Sequence, residues 1–553
     1  MFPLRSFAAA ISCAVACCAI SLAHAGVPFQ QHHAVTLLDA FRPIGAAGNN
    51  LVHPGFNPVP GSALRTLAPL NFKPGTVDGL VDGPNPRRVS NVIAGGRGID
   101  GTDAQTTDRR ASAWLYVFGQ FVDHDIALES NRPGGTPIPI LVPPGDPVFP
   151  GAVIAMTRDE RDPRTRTIVT RVAGFLDLSQ LYGSTEEVAA SLRNGDGTLK
   201  TSHGGSALQI ADGRFIAGDL RVNENPELAA VTILFMREHN AWVAELQNQN
   251  PGWRGDQLYE MAKAITTAEY QHIIYAEYLP LLIGPVLPAW RGYNPHISAQ
   301  ALQEFTTVAF RVGHTQVSET QSGIDNHGVD VFSQSLAEAF FNTAEQTLQN
   351  GIDPLLRNVT AEFSQATDAY TVPVLRNLLF SPLPGGNVDQ MDLIAIDIQR
   401  ARDVGVATLA QMRRALGLRA YRSWADLTPD PRLQMQFRQL YGSVDQVDLF
   451  MGGSTERHAP GAVVGETFQA IIAHQFRALR DGDRFYWENQ GFDRATRDTI
   501  GATTLSDILL RNTDSTSMPR AAFVAARRPP RTSVWRPGVA VDTHGRMPTR
   551  FGQ

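Results

Sequence analysis

Residues 114–125, Trp-Leu-Tyr-Val-Phe-Gly-Gln-Phe-Val-Asp-His-Asp, constrain the fold more than any other stretch. Trp114, Leu115, Val117, Phe118, Phe121 and Val122 recur at three- and four-residue intervals, the period of an amphipathic helix. Gln120, Asp123 and His124 stand at i, i+3 and i+4 among them and therefore share one helix face. Asp125 is turned by about 100° from His124. A histidine beside carboxylates on an otherwise apolar helix is costly to bury without partners. Taken alone, the pattern fits a core histidine paired with Asp123. The rest of the chain points to a different use.

The chain has 553 residues, of which 43 % are hydrophobic, enough for a large core. Its 48 basic and 54 acidic residues leave a net charge of −6, which gives no general attraction to nucleic acid or acidic membranes. No internal run of apolar residues is long enough to predict a membrane span. Residues 1–25 read as a secretory signal: Arg5 supplies the charge, 7–22 is apolar, and Ala23-His24-Ala25 is a small-x-small cleavage pattern. Cys13, Cys17 and Cys18, the only three cysteines, all lie in that segment. The expected mature protein is therefore exported, secreted or periplasmic, and stands on its core without disulfides.

Residues 26–106 are rich in Gly, Pro and Asn and read as an extended N-terminal wrap. Residues 107–514 read as the core and the Pro- and Arg-rich 515–553 as an irregular tail. The opening helix is expected over 107–127, followed by a Pro- and Gly-rich excursion over 129–163 and a short helix over 185–192. Apolar periodicity then predicts helices over 228–249, 257–281, 298–317, 329–339, 374–379, 392–416, 431–440 and 464–481. Few stretches alternate with period two, and no repeat or basic stripe occurs. The fold class is mainly α, a single large helical domain with long irregular loops and little β.

Four stations carry chemistry. Gln120, Asp123 and His124 form the first. Phe175-Leu-Asp177-Leu-Ser179 is the second, an acid and a hydroxyl that, with Asp125, would supply oxygen ligands of the kind Ca²⁺ prefers. The third is the polar loop 217–226, where Arg221 and Glu224 precede a helix and Asn225-Pro226 fits an N-terminal cap. The fourth sets Arg311 and His314 at i and i+3 in an apolar segment, with Gly313 leaving room for something bulky. Two separated helical histidines with different companions suggest a haem site, one histidine on the iron and the other on the open side. No cluster of the short spacing a zinc site needs is present.

In this order the stations resemble the animal-type haem peroxidase family. The resemblance runs from about Phe41-Arg42 and Gly48-Asn49-Asn50 to about Asn512, and includes residues 235–240, 397–403 and 479–485. It implies haem b, hydrogen peroxide as oxidant, a ferryl intermediate and a small electron donor (halide, thiocyanate or phenol). It implies that His124 is the distal histidine, Gln120 the distal glutamine, Arg221 the distal arginine and His314 the proximal iron ligand. Asp123 and Glu224 match carboxylates that form ester bonds to haem, and Arg311 and Arg400 match arginines near its propionates. Asp125, Phe175 (through its carbonyl), Asp177 and Ser179 match the calcium site. His239 has no catalytic counterpart and reads as a structural helix histidine.

The sequence departs from the family at three places. Ala173 stands where a calcium-binding threonine is usual. Asn225 replaces the methionine through which some members form a sulfonium link to haem. Asp397 replaces the usual asparagine behind the proximal histidine. Fatty-acid oxygenases of the same superfamily need a tyrosine three residues before the proximal histidine; here that residue is Arg311. A non-catalytic haem-binding adhesion protein would be expected to lose His124 or Arg221, and both are present.

Overall fold

The computed structural model describes residues 35–72, 80–95, 109–129, 135–340, 342–381, 389–525 and 541–542. The expected secretory segment at 1–25 lies outside the described residues, as does the beginning of the expected opening helix at 107–108.

Helix α1, Trp114–Ile126, is built as its periodicity demands. Trp114, Leu115, Phe118, Phe121 and Val122 are wholly buried. They meet helix α2, Pro226–Gln249, and helix α3, Gly255–Ile273. Pro226 occupies the first turn of α2, where its missing N–H costs nothing, and the Asn225 side chain accepts from Leu228 N at 2.9 Å. The Phe121 ring stacks on Phe235 of α2 with centroids 5.3 Å apart and meets Tyr270 of α3 edge-on at 5.8 Å. Such aromatic pairs add roughly 0.5–1.5 kcal/mol to the burial of each ring. Gly119 is required on this side: a Cβ there would lie 2.8 Å from the Tyr278 hydroxyl. With its apolar side locked into aromatic rings, α1 presents Gln120, Asp123 and His124 to the space opposite.

The helix expected over 298–317 does not form as one piece. Helix Gln303–Thr307 breaks at Val308, with φ −136° and ψ −70°, and a 3-10 segment, Ala309–Thr315, follows. The carbonyl of Thr306 accepts from Arg311 Nε at 3.0 Å instead of continuing the helix. In a 3-10 turn the side chains at i and i+3 eclipse, so Arg311 and His314 stand over one another.

The helix expected over 329–339 is instead a strand, Asp330–Ser335, paired antiparallel with Thr320–Ile324, followed by the single turn Leu336–Ala339. The hairpin turn is set by Asp325, whose carboxylate accepts from His327 N and Val329 N. The stretch 374–379 likewise resolves into the turn Pro373–Arg376 and the strand Leu378–Ser381. The span 392–416 holds two helices, α4 over Leu393–Asp403 and a shorter one over Leu409–Ala415. Gly405, at φ +70°, ends α4 in a left-handed turn, and Val406 N returns to Ala401 O at 2.9 Å. Helix α5, Glu466–Asp481, packs against Gln303–Thr307 and the 3-10 segment Ala309–Thr315.

The described strands form only two- and three-stranded sheets, so the molecule is mainly α with long connecting loops. Both ends of the described chain are tied to the core. Arg42 and Asn49 bond Asp483 at 2.5 and 2.7 Å, and Ser112 N donates to Phe523 O at 2.9 Å. No helix among the described residues is long and apolar enough to cross a membrane.

Candidate active site

Helix α1 and the 3-10 turn Leu220–Asn223 assemble one side of the site. Asp219 caps that turn, accepting from Arg221 N at 2.8 Å, and grips the Arg221 guanidinium through Nε at 3.0 Å and Nη2 at 2.6 Å. The same Nη2 donates to the carbonyl of His124 at 3.2 Å. Burial would raise the Asp219 carboxyl, but Arg221 outweighs it and holds the group below the usual range. Arg221 is therefore fixed in direction as well as position. Its Asp219 anchor had no role in the sequence reading, although the i, i+2 pairing of acid and arginine in the polar loop was visible.

His124 is buried, and burial together with the Arg221 guanidinium keeps its imidazole well below the ordinary value. It is neutral at pH 7 and able to take a proton. Its Nε2 lies 3.8 Å from Glu224 Oε2. Gln120 Nε2 donates to the same oxygen at 2.9 Å, and Gln120 Oε1 accepts from Asn225 Nδ2 at 3.0 Å. The carboxylate near His124 is thus Glu224; no ion pair joins His124 to Asp123.

On the opposite side, His314 Nδ1 is 2.7 Å from Asp397 Oδ2 of α4. The described residues place no hydrogen-bond partner on Nε2 of His314, and a Cβ on the adjacent Gly313 would meet nothing within 4 Å. Arg311, eclipsed with His314, reaches Glu129 Oε2 at 2.6 Å and stands 4.0 Å from Asp397 Oδ1. Arg400 donates to Asp159 Oδ2 at 2.5 Å and lies 3.4 Å from Glu129 Oε2. Glu129 and Asp159 were missed by sequence reasoning because they are far apart in the chain and belong to loops without periodicity.

Asp123 connects the two sides. Burial lifts its carboxyl to about 6, while Arg311, Arg221 and His314 all pull it back, so it lies within electrostatic reach of both stations. Its Oδ1 is buried with no hydrogen-bond partner. An orphaned carboxylate oxygen, open space at Gly313, and two arginines, Arg400 buried and Arg311 half-buried, fit a planar anionic cofactor such as haem.

The second station gathers behind α1. Asp125 accepts from the backbone N–H groups of Asp177, Leu178 and Ser179 at 2.9, 3.0 and 2.6 Å, and from the Ser179 hydroxyl at 2.7 Å. Burial and the neighbouring Asp125 push the Asp177 carboxyl well up, and its Oδ1 is orphaned. The oxygens of this loop fit a hard cation, with Asp177 rather than Asp125 offering the free carboxylate oxygen. Phe175 is wholly buried. His239 lies away from both stations. It bonds the Tyr182 hydroxyl and the Gly197 carbonyl, each at 3.0 Å, and burial lowers it to about 4. Its structural reading agrees with these contacts.

Comparison with known proteins is consistent with this geometry. A family described as animal haem peroxidase matches residues 41–523. Human eosinophil peroxidase is 32 % identical over 503 residues, covering 80 % of this chain and 69 % of that protein. Peroxidase A from Dictyostelium discoideum superposes with a TM-score of 0.77 at 27 % identity, covering 88 % of this chain and 99 % of that one. A fatty acid alpha-dioxygenase from Arabidopsis thaliana shares the fold, with a TM-score of 0.74 at 20 % identity over 92 % of this chain and 86 % of that one.

Proposed function

The chain belongs to the animal haem peroxidase family and is an oxidoreductase acting on peroxide, and from that premise we propose a division of labour among its residues. His314 would hold the haem iron, and Arg311 and Arg400 would lie toward its anionic edge. The chemistry that a bound haem supplies is oxidation by peroxide and return of the oxidising equivalents to a donor. His124, buried and neutral, would move a proton between the two oxygens of the peroxide. Arg221, held by Asp219, stabilises charge on the departing oxygen. Gln120 shapes the pocket beside His124. The observation that carries this reading is that Arg221, gripped by Asp219, donates to the His124 carbonyl, while His314 is backed by Asp397 at 2.7 Å.

The donor is a small molecule such as a halide, thiocyanate or a phenol. The test is a spectrum of the haem-loaded protein before and after peroxide, followed by a panel of bromide, iodide, thiocyanate, phenols and Mn²⁺. Absence of any peroxide-induced spectral change overturns the reading. The fatty-acid oxygenase alternative finds no support, because Arg311 stands at the position of the radical tyrosine and is engaged by Glu129.

Asp123 and Glu224 are proposed to tether haem covalently. Asp123 has its free Oδ1, and the Glu224 side chain is 39 % exposed, its Oε2 3.8 Å from His124 Nε2. Acidified organic solvent is expected to leave part of the haem on the protein and to release all of it from Asp123→Asn/Glu224→Gln. Complete extraction from the unaltered protein removes the ester assignment.

A Ca²⁺ ion is proposed for the loop, held by Asp177, Ser179 and the Phe175 carbonyl, with Asp125 ordering the loop through its backbone hydrogen bonds. Ala173 supplies no side-chain oxygen, so binding is weaker than with a threonine there. Chelation is expected to lower the melting midpoint and added Ca²⁺ to restore it, with neither effect in Asp177→Asn. A midpoint indifferent to both additions refutes the calcium site. Export by the segment at 1–25 completes the reading, and N-terminal sequencing of the mature protein tests it.

A further inference from the structure

A second constellation lies on the surface, apart from every residue used above. His53 and His296, 243 positions apart in sequence, bring Nε2 and Nδ1 to 3.0 Å from one another. Their ring centroids are 5.1 Å apart with planes inclined by 56°. The His296 side is open to solvent, and the His53 ring rests against Phe56 at 4.9 Å. Neither imidazole pairs with a carboxylate among the described residues.

The loops that carry them are fixed. Asn50 is buried; its Oδ1 accepts from His53 N at 2.8 Å, and its Nδ2 donates to Pro295 O at 2.7 Å. One side chain therefore ties the two loops together beside both rings. Asn294 caps the second loop, accepting from His296 N at 2.9 Å, and its own N–H donates to Asp481 O at the end of α5 at 2.7 Å. The backbone positions of both histidines are set before any ligand arrives.

We propose that His53 and His296 form a surface site for a divalent transition-metal ion, Cu²⁺ ahead of Ni²⁺ and Zn²⁺, which clasps the N-terminal loop at 50–57 to the loop at 293–297. Metal–imidazole bonds of about 2.0–2.1 Å place two ligand nitrogens about 2.9 Å apart at a right angle and about 3.3 Å apart at the tetrahedral angle. The 3.0 Å separation falls inside that span. The two nitrogens now share a hydrogen bond; the ion would replace that bond, with the exposed His296 ring free to turn and water to complete the coordination. Two imidazoles and no thiolate or carboxylate favour borderline metals over Ca²⁺ or Mg²⁺, and Cu²⁺ stands highest among the divalent ions of this series. Because the ion joins two loops of the folded chain and finds no such pair in the unfolded one, binding stabilises the fold.

The test uses the haem-containing protein, washed with a chelator and titrated with Cu²⁺ by calorimetry and electron paramagnetic resonance. The expected result is one saturable site whose copper spectrum shows two nitrogen ligands, with a rise in melting midpoint. His296→Gln and His53→Gln each preserve a hydrogen-bonding partner for the remaining ring but remove one metal ligand. Losing a ligand should cost at least the roughly 10–100-fold that losing a supporting outer partner costs. Both variants are therefore expected to lose the site and the midpoint rise while retaining their circular dichroism and haem content. A copper site that persists in either variant with unchanged affinity overturns the proposal, as does the absence of saturable binding in the unaltered protein.

Discussion

His124→Ala is expected to slow peroxide reduction by roughly 10²–10⁴-fold, the usual contribution of a positioned acid–base group, while the protein keeps its haem. The reason lies in three properties of the side chain. It is buried and held neutral, so the ring enters the reaction ready to accept a proton. It belongs to a helix whose opposite face is locked by Phe118, Phe121 and Gly119, so the ring cannot drift. Its backbone carbonyl accepts from Arg221, so the proposed proton carrier and the proposed charge stabiliser are mechanically joined. Haem retention follows because the groups assigned to hold it, His314, Asp123 and Glu224, are untouched. Stopped-flow reduction of peroxide, normalised to haem absorbance, measures the effect. A rate equal to that of the unaltered protein would sink the acid–base assignment. Alanine also removes buried volume, so a parallel melting curve separates a catalytic loss from unfolding.

What could be read from the sequence followed from local periodicity and what could not depended on distant contacts. Helix α1 was legible because six large apolar residues at helical spacing leave no other way to be buried. Helix α2 was legible because Asn225-Pro226 marks its start and its apolar stripe is long. The segment 298–317 misled because helical spacing continues across Val308, where the backbone breaks. That break is useful: it converts the i, i+3 pair Arg311 and His314 into eclipsed neighbours over Asp397. The hairpin at 320–335 misled because a turn fixed by a single aspartate, Asp325, leaves no periodic trace. At the candidate site, Asp397 stands behind His314 as the sequence led one to expect, but the carboxylates that hold the arginines were not foreseen. Glu129, Asp159 and Asp219 supply the carboxylates that fix Arg311, Arg400 and Arg221. The two salt bridges that join residues 182 and 241 positions apart have no signature in one sequence, whereas Asp219 stands only two residues from Arg221 and was overlooked in plain view. The first pairing considered for His124, with Asp123, was the local one, and the structure sets Glu224 nearer instead.

Asp397→Asn is expected to raise the iron(III)/iron(II) midpoint potential of the haem-loaded protein by on the order of 50–100 mV. The Asp397 carboxylate sits 2.7 Å from Nδ1 of His314 and is almost wholly buried, so its charge acts on the ring with little screening by water. A charged acceptor draws the Nδ1 proton more strongly than a neutral amide does, which makes the opposite nitrogen a better electron donor to a metal. Hydrogen bonds to charged groups exceed neutral ones by about 1–2 kcal/mol, and for a single electron 59 mV corresponds to a tenfold change in equilibrium constant. Arg311, 4.0 Å from the other Asp397 oxygen, offsets part of the charge and sets the lower end of that range. Asparagine keeps the size of the side chain and an oxygen that can accept from Nδ1, so the variant changes charge while sparing geometry. A low potential favours cleavage of the peroxide bond and disfavours oxidation of halides that are hard to oxidise. The same substitution should therefore shift the donor panel toward bromide at the expense of peroxide turnover. Spectroelectrochemical titration of the two proteins decides the matter. Equal potentials would show that Asp397 orients the ring without tuning it, and donor preference would then have to arise on the His124 side.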